Sequence, residues 1–290
     1  MTTLIEVSAL QERMDVGLRT VLLDVRWALG DPDGRADYLR VHIPGAVYVD
    51  LEADLSGPGS PQQGRHPLPE PRAFAESARR WGISDGDTVV AYDDGGSTSA
   101  ARLWWLLRDA GFDRVLLLNG GLGAWRAAGC PLATDDEQPA AGDVVLSSGR
   151  MPVVGMGARG FKDVAEWAAT GILLDARAGE RYRGETEPVD PRAGHIPGAV
   201  SAPTSQNLSA DRRFLPAEEL AARFAALGVT AAAPIAVYCG SGVTAAHEIA
   251  ALEIAGIRAA LFPGSWSAWS SHAGLPVATG AEPGGRRHAG

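Results

Sequence analysis

The chain has 290 residues, of which 46% are hydrophobic and 21% are charged, a composition that can bury a substantial core and that excludes a disordered or fibrous protein. Its formal net charge of −9 argues against a nucleic-acid-binding or anionic-membrane surface, because such surfaces depend on clustered Lys and Arg. The first residues show neither a basic region nor a long apolar stretch, and Cys130 and Cys239 are the only cysteines, so a cytoplasmic protein without a disulfide framework is expected.

Short apolar runs alternate with helical patterns along the first half of the chain. The pattern predicts a helix near residues 8–15, a strand at Thr20–Asp24, a helix over Pro71–Trp81, a strand at Thr88–Tyr92 and a helix over Ala100–Ala110. Such alternation indicates an α/β domain with a mostly parallel sheet flanked by helices. The functional site is then expected at the carboxyl edge of the sheet.

The second half of the chain repeats the first half in the same order. His-Ile-Pro-Gly-Ala-Val occurs at residues 42–47 and again at residues 195–200. The stretch Thr-Val-Val-Ala-Tyr-Asp93 also corresponds to Pro-Ile-Ala-Val-Tyr-Cys239. Two long copies in the same order indicate a tandem duplication of one domain rather than a solenoid of short repeats.

The repeat divides the chain into two domains. Residues 1–132 are predicted to form the first domain, which is expected to be inactive because Asp93 stands where the second copy has Cys239. Residues 153–280 are predicted to form the second, catalytic domain. The Pro-, Gly-, Asp- and Ala-rich stretch 133–152 is predicted to be the linker, and 281–290 a disordered tail.

Cys239 lies in a turn that favours a reactive thiolate. It follows a predicted buried strand (Ile235–Tyr238) and precedes a helix predicted over Thr244–Ala255. Gly240 and Gly242 allow successive N–H groups to converge, and such a nest at the positive end of a helix stabilises an anion. The alternative is an inert buried cysteine, but inert core does not require this cluster of Gly, Ser and Thr.

The loop Cys-Gly-Ser-Gly-Val-Thr at residues 239–244 resembles the active-site loop of the rhodanese superfamily, in the form typical of 3-mercaptopyruvate sulfurtransferases. Members that prefer thiosulfate typically carry two basic residues after the cysteine, where this chain has Gly240 and Ser241. The resemblance extends over nearly the whole chain and implies two tandem rhodanese-like domains.

The resemblance implies a sulfurtransferase that moves a sulfane sulfur from 3-mercaptopyruvate through a Cys239 persulfide to a thiophilic acceptor, which is a thiol, cyanide or thioredoxin. Thiosulfate is the alternative donor, and a non-catalytic docking module is a third possibility. A phosphatase of the Cdc25 type would need an arginine six residues after Cys239, where the sequence has Ala245. No cofactor and no metal are expected, because the His and Cys residues form no cluster with coordinating spacing.

Several residues of the loop are candidates for binding and catalysis. The N–H groups of Gly240, Gly242 and Val243 are expected to stabilise the anionic sulfur. The hydroxyls of Ser241 and Thr244 are expected to bond the cysteine sulfur or the substrate carbonyl. The alternative is that each satisfies turn backbone or caps the helix.

The segment from Arg181 to Arg192 resembles the family segment that clamps the mercaptopyruvate carboxylate. Arg181 matches its first arginine directly. This chain has two extra residues before Arg192, so the second clamp is either Arg192 or the alternative, Arg183. A guanidinium suits this role because its planar fork pairs with a carboxylate and stays charged.

In mercaptopyruvate enzymes the first-domain histidine of the His-Ile-Pro-Gly-Ala motif is placed in a proton relay with the loop serine and an upstream aspartate. By position, the resemblance implies His42, Ser241 and either Asp31 or Asp33. The same motif recurs at His195, which favours the interpretation that the ring merely ties a turn to the backbone.

Overall fold

Two parallel β-sheets, one in each of two units, organise the fold. The computed structural model describes residues 2–30, 33–147, 149–155, 160–230 and 233–288. The first unit comprises Met1–Gly57, Pro69–Met151 and Leu208–Phe214, and the second unit comprises Pro58–Leu68, Pro152–Asn207 and Leu215–Gly290. The first unit therefore includes residues 208–214 of the second sequence repeat, and the second unit includes residues 58–68 of the first repeat.

The first unit is built on five strands. These are β1 (Leu4–Ile5), β2 (Thr20–Asp24), β3 (Ala46–Tyr48), β4 (Thr88–Tyr92) and β5 (Val115–Leu118). They pair in parallel in the order β1-β5-β4-β2-β3. The helices of this unit are α1 (Val7–Asp15), α2 (Gly34–Arg40), α3 (Leu51–Asp54), α4 (Pro71–Arg80), α5 (Ala100–Asp109) and α6 (Gly121–Ala127).

The second unit repeats this design with a four-stranded parallel sheet. Its strands are β6 (Ile172–Asp175), β7 (Val200–Ser201), β8 (Ile235–Tyr238) and β9 (Ala260–Leu261), in the order β7-β6-β8-β9. The helices are α7 (Phe161–Thr170), α8 (Gly179–Arg183), α9 (Ala217–Ala226), α10 (Thr244–Ile254) and α11 (Ser265–Ser271), with a 3₁₀ turn at Thr204–Asn207. The predicted α/β fold with mostly parallel sheets is confirmed.

The chain end differs from the prediction. Two further strands, β10 (Val277–Thr279) and β11 (Arg286–His288), form an antiparallel pair. The prediction of a disordered tail is therefore wrong for residues 286–288, because their backbone groups pair with an otherwise open strand edge. Within the described residues, no helix is long and apolar enough to cross a membrane.

The repeated histidine motif makes the same contacts in both units. In the first unit the His42 ring stacks on Tyr38 with 4.1 Å between centroids, and Nδ1 lies 2.9 Å from the Tyr38 carbonyl oxygen. In the second unit His195 stacks on Tyr182 at 3.8 Å, and Nδ1 lies 2.8 Å from the Tyr182 carbonyl. Burial lowers the pKa of His195. These contacts are those expected of a histidine that ties a turn to the backbone.

Asp93 occupies the end of β4, in the position that Cys239 occupies at the end of β8. Its carboxylate accepts four backbone N–H groups at 2.7–3.0 Å, from Gly95, Ser97, Ser99 and Ala100. Asp93 is buried, and burial raises the pKa of its carboxyl group against the effect of these donors. The loop of the first unit thus contains its own anion.

We expect Asp93→Ala to lower the free energy of unfolding of the protein by about 3 kcal/mol or more, because it leaves four buried N–H donors without their acceptor. Urea unfolding followed by tryptophan fluorescence measures this loss. The control is Asp94→Ala, which removes the same charge from an exposed neighbouring side chain and should change the stability by less than about 0.5 kcal/mol. Equal effects of the two substitutions would contradict the assignment of Asp93 as the internal anion of this loop.

Candidate active site

Cys239 lies at the carboxyl end of β8 with 1% of its surface exposed. The N–H of Gly242 donates to its Sγ at 3.1 Å. The Cys239 carbonyl accepts the Trp266 N–H at 3.0 Å, and the Gly240 carbonyl accepts the Ser267 N–H at 2.9 Å. The two carbonyl groups of the turn are therefore bonded to N–H groups of α11. One N–H group of the loop also donates to the sulfur, and such a donor can stabilise a thiolate or a persulfide anion.

Ser265 forms a hydrogen bond with the backbone of Cys239, and the sequence analysis did not select it as a functional residue. Its hydroxyl accepts the Cys239 N–H at 3.2 Å and donates to the Phe262 carbonyl at 2.9 Å. Its φ of 51° lies in the left-handed region, which costs a non-glycine residue about 1 kcal/mol. A signal for Ser265 was present in the repeat. The segment Gly121-Leu-Gly-Ala-Trp corresponds to Ser265-Trp-Ser-Ala-Trp, so Ser265 replaces a glycine, Gly121, whose φ is also positive.

The glycines of the loop serve two different purposes. Gly242 has a φ of +84°, and a Cβ there would lie 2.7 Å from the Pro263 carbonyl oxygen. Gly240 has no such strain, but a Cβ there would lie 3.1 Å from Arg65 Nη2 and 3.6 Å from Arg181 Nη1. Gly242 therefore allows the turn, whereas Gly240 leaves room beside two guanidinium groups.

Ser241 is paired with a histidine that the sequence analysis did not select. Its Oγ lies 2.7 Å from Nδ1 of His66, and both residues are buried. The predicted partner, His42, instead bonds its Nδ1 to the Tyr38 carbonyl in the first unit, so the assignment of the Ser241 partner is corrected to His66. The reason is that His66 belongs to the 58–68 segment of the second unit.

A sequence signal for His66 was available. Residues 65–69, Arg-His-Pro-Leu-Pro, align with residues 212–216, Arg-Arg-Phe-Leu-Pro, and the first copy alone contains a histidine. Of the two aspartates named for the relay, Asp33 caps α2 by accepting the Ala36 N–H. Asp31 lies outside the described residues.

Arg181 lies on α8 and faces two acidic side chains. Its Nη2 lies 2.6 Å from Glu187 Oε1 and 3.4 Å from Asp190 Oδ2, and its Nε lies 3.3 Å from Glu187 Oε2. Asp190 also pairs with Arg65. Burial raises the pKa of Asp190, whereas the positive charges of Arg65 and Arg181 oppose this rise.

The structure does not place Arg192 as a second clamp. Its guanidinium donates four hydrogen bonds at 2.7–3.0 Å to backbone carbonyls at the end of α11 and in the following turn, which belong to Trp269, Ser270, His272 and Leu275. Carbonyls at a helix end have no partner within the helix, so an arginine satisfies them well. Arg192 therefore stabilises the end of α11, and its role as the second clamp stays a prediction.

The structure also places three other candidate residues, which are Arg183, Val243 and Thr244. Arg183, the alternative clamp, is paired with the exposed Glu185 at 2.7 and 2.8 Å. Val243 is buried and precedes α10. Thr244 begins α10, and its hydroxyl makes no hydrogen bond within the described part of the chain.

Comparisons with known proteins agree with this architecture. The chain matches the rhodanese-like domain twice, over residues 6–128 and 161–272. It is 44% identical over 278 residues to SseB of Mycobacterium tuberculosis H37Rv, whose name assigns it provisionally as a thiosulfate sulfurtransferase, and the match covers 96% of this chain and 97% of that protein. It is 46% identical over 268 residues to a Pseudomonas aeruginosa protein whose name assigns it, also provisionally, as a 3-mercaptopyruvate sulfurtransferase, with 90% and 92% covered.

A solved structure extends the comparison. The crystal structure of SseA from Escherichia coli, described as a 3-mercaptopyruvate sulfotransferase with the rhodanese fold, aligns with a TM-score of 0.79 and 34% sequence identity. The alignment covers 92% of this chain and 99% of SseA.

We expect Gly242→Ala to lower the free energy of unfolding by about 1–3 kcal/mol, because alanine is strained at positive φ and its Cβ would meet the Pro263 carbonyl. Urea unfolding measures the loss. Gly240→Ala is the matched control, since its methyl group would meet only the ends of two arginine side chains, and its stability should stay within about 0.5 kcal/mol of the unsubstituted protein. A Gly242→Ala variant as stable as Gly240→Ala would refute the strain argument.

Proposed function

The chain belongs to the rhodanese family of sulfurtransferases, and we propose that it takes the sulfur atom of 3-mercaptopyruvate onto Cys239 and passes it to a thiophilic acceptor. The observation that carries this proposal is the surroundings of Cys239. The sulfur receives a loop N–H from Gly242, and the guanidinium of Arg181 lies beside the next residue, Gly240. A nucleophile and a carboxylate-binding cation are thus adjacent.

The proposed reaction begins with attack of the Cys239 thiolate on the sulfur of 3-mercaptopyruvate. A new S–S bond forms, the C–S bond breaks, and its electron pair passes to the methylene carbon as the enolate of pyruvate. The enolate gains the proton that the donor sulfur loses, so the products are a Cys239 persulfide and pyruvate. The N–H groups of Gly240, Gly242 and Val243 stabilise the anionic sulfur in both states.

Two side-chain arrangements support this assignment of roles. Arg181 keeps its Nη1 without a hydrogen-bond partner among the described residues, while Glu187 and Asp190 hold its Nε and Nη2. That free edge suits a carboxylate. The contact between Ser241 and His66 joins a hydroxyl to an imidazole, and such a pair can carry the transferred proton.

Charge balance favours 3-mercaptopyruvate over thiosulfate. The two arginines beside Gly240, Arg65 and Arg181, are matched by the two nearby acids, Glu187 and Asp190. A site with no excess positive charge suits a monoanionic carboxylate better than a dianion. Thiosulfate remains a second candidate donor, because SseB, at 44% identity, carries that donor in its name.

The family implies a small-molecule sulfur donor and an acceptor for the sulfur. For the acceptor we propose a thiol, such as that of thioredoxin, with cyanide as a laboratory substitute, because a persulfide transfers its outer sulfur to a thiolate by displacement. We also propose a cytoplasmic location, because both cysteines are free and Cys239 must stay reduced to react.

The test of this function is steady-state kinetics with each donor and one shared acceptor, following pyruvate from 3-mercaptopyruvate and sulfite from thiosulfate. We expect kcat/KM to be higher for 3-mercaptopyruvate, and Cys239→Ser to abolish turnover of both donors while the protein stays folded. The matched control is Cys130→Ser, which should retain activity. A preference for thiosulfate would overturn the proposed donor, and turnover by Cys239→Ser would overturn the persulfide.

We expect His66→Gln to lower kcat for 3-mercaptopyruvate by on the order of 10²-fold, with a smaller change in KM, because the amide can bond Ser241 but cannot accept a proton. With thiosulfate, whose sulfite leaves without taking up a proton at carbon, the loss should be less than about tenfold. His42→Gln is the comparison variant and should change the ratio of the two donors by less than about threefold. Equal losses for both donors in His66→Gln would assign His66 a structural role.

A further inference from the structure

Asp190 is a buried acid near the active-site loop, and the proposed reaction gives it no step of its own. Its side chain is 3% exposed, its Oδ1 pairs with Arg65, and its Oδ2 lies 3.4 Å from Arg181 Nη2. Within the described residues, its carboxylate makes no other hydrogen bond or ion pair. A buried carboxylate is costly unless it is paired, so the two arginines are what stabilise the Asp190 charge.

The neighbouring acid, Glu187, has a different set of contacts. Its Oε1 accepts the backbone N–H groups of Val189 at 3.2 Å and of Asp190 at 3.1 Å. Its Oε2 lies 3.4 Å from Arg177 Nη1, and its Oε1 lies 2.6 Å from Arg181 Nη2. Glu187 therefore shapes the backbone of the turn. The Asp190 carboxylate bonds no backbone group in the described part of the chain, so its charge can be removed while the turn keeps its own hydrogen bonds.

The two arginines that pair with Asp190 reach the space beside the nucleophile. A Cβ built on Gly240 would lie 3.1 Å from Arg65 Nη2 and 3.6 Å from Arg181 Nη1, and Gly240 directly follows Cys239. The positive charges of these guanidinium groups attract any anion that occupies this space. The Asp190 carboxylate pairs with both groups, so its charge opposes that attraction.

The buried charges around this space balance one another only if Asp190 is counted. Each of three ion pairs joins one arginine to one acid: Arg177 to Asp175, Arg181 to Glu187 and Arg65 to Asp190. Loss of the Asp190 charge would leave one positive charge in excess. Because the Coulomb energy of a bound anion is proportional to its charge, this excess would favour a dianion more strongly than a monoanion. Salt screens such buried charges only weakly.

We infer that Asp190 is a specificity-determining residue that selects donors by charge. Its buried negative charge weakens the binding of a dianion such as thiosulfate relative to a monoanion such as 3-mercaptopyruvate. This inference rests on the proposed function, because it concerns a sulfur donor bound beside Gly240. It adds an acid outside the cysteine loop to the uncharged loop residues, Gly240 and Ser241, with which the sequence analysis associated the donor preference.

The experiment measures the ratio of kcat/KM for thiosulfate to kcat/KM for 3-mercaptopyruvate, with one shared acceptor. In Asp190→Asn the ratio should rise on the order of tenfold, because the amide can still accept a hydrogen bond from Arg65 but carries no charge. Asp190→Glu keeps the charge, so its ratio should stay within about threefold of that of the unsubstituted protein. The control is Glu185→Gln, which removes the same charge from an exposed acid of the same segment and should change the ratio by less than about twofold.

Binding of sulfate and of pyruvate, measured by calorimetry, tests the inference without turnover. Asp190→Asn should strengthen the binding of the dianion sulfate by a larger factor than that of the monoanion pyruvate, whereas a merely structural loss would weaken both. Thermal unfolding identifies any variant that misfolds. The inference is overturned if folded Asp190→Asn shows the same donor ratio and the same sulfate-to-pyruvate ratio as Glu185→Gln. A preference of the unsubstituted protein for thiosulfate would overturn only the proposed donor, because the shift in Asp190→Asn is measured from that starting ratio.

The unsubstituted protein offers a further test that needs no variant. Added salt weakens the attraction between an anion and an excess of positive charge. Because Asp190 removes that excess, kcat/KM for thiosulfate should fall by less than about twofold as the ionic strength is raised from low to physiological values. A steep fall would show that the arginines act without compensation, and it would overturn the inference.

Discussion

A hydrogen-bond acceptor at the carboxyl end of a central parallel strand is the constraint on which both units depend. The turn that follows such a strand points backbone N–H groups inward, and these donors require an acceptor. In the first unit the Asp93 carboxylate meets this need with four hydrogen bonds. In the second unit the cysteine sulfur receives the Gly242 N–H. The N–H groups of the first loop are therefore occupied by the Asp93 carboxylate, whereas the second loop presents an N–H group to the cysteine sulfur.

The charges around the second loop are arranged as pairs. Asp190 and Glu187 neutralise most of the positive charge of Arg65 and Arg181, and the side chains of both acids are almost fully buried. Such pairing holds long side chains in one orientation, which a substrate would otherwise have to enforce on binding. It also lowers the excess positive charge near Cys239. The same arrangement therefore fixes the geometry of both guanidinium groups and balances their charge.

Duplication allowed the two copies of each motif to diverge in role. The histidines of the repeated motif, His42 and His195, kept the same stacking and backbone contacts, which shows that the motif supports the fold in both units. The aligned stretches 65–69 and 212–216 diverged instead. The former contributes Arg65 and His66 to the second unit, whereas Arg213 of the latter pairs with Glu6 in the first unit.

The sequence by itself determined the duplicated α/β fold, the strands and helices that it predicted to within a residue or two, and the place of Cys239 after β8. These features depend on local periodicity, internal repetition and glycine content, which can be counted along the chain. Only the tertiary structure decided that His66 contacts Ser241 across 175 positions, that Arg192 binds carbonyls more than 70 positions away, and that Arg65 lies beside Gly240. Such contacts are set by the packing of distant segments, and no periodicity along the chain encodes which distant side chain fills a given space.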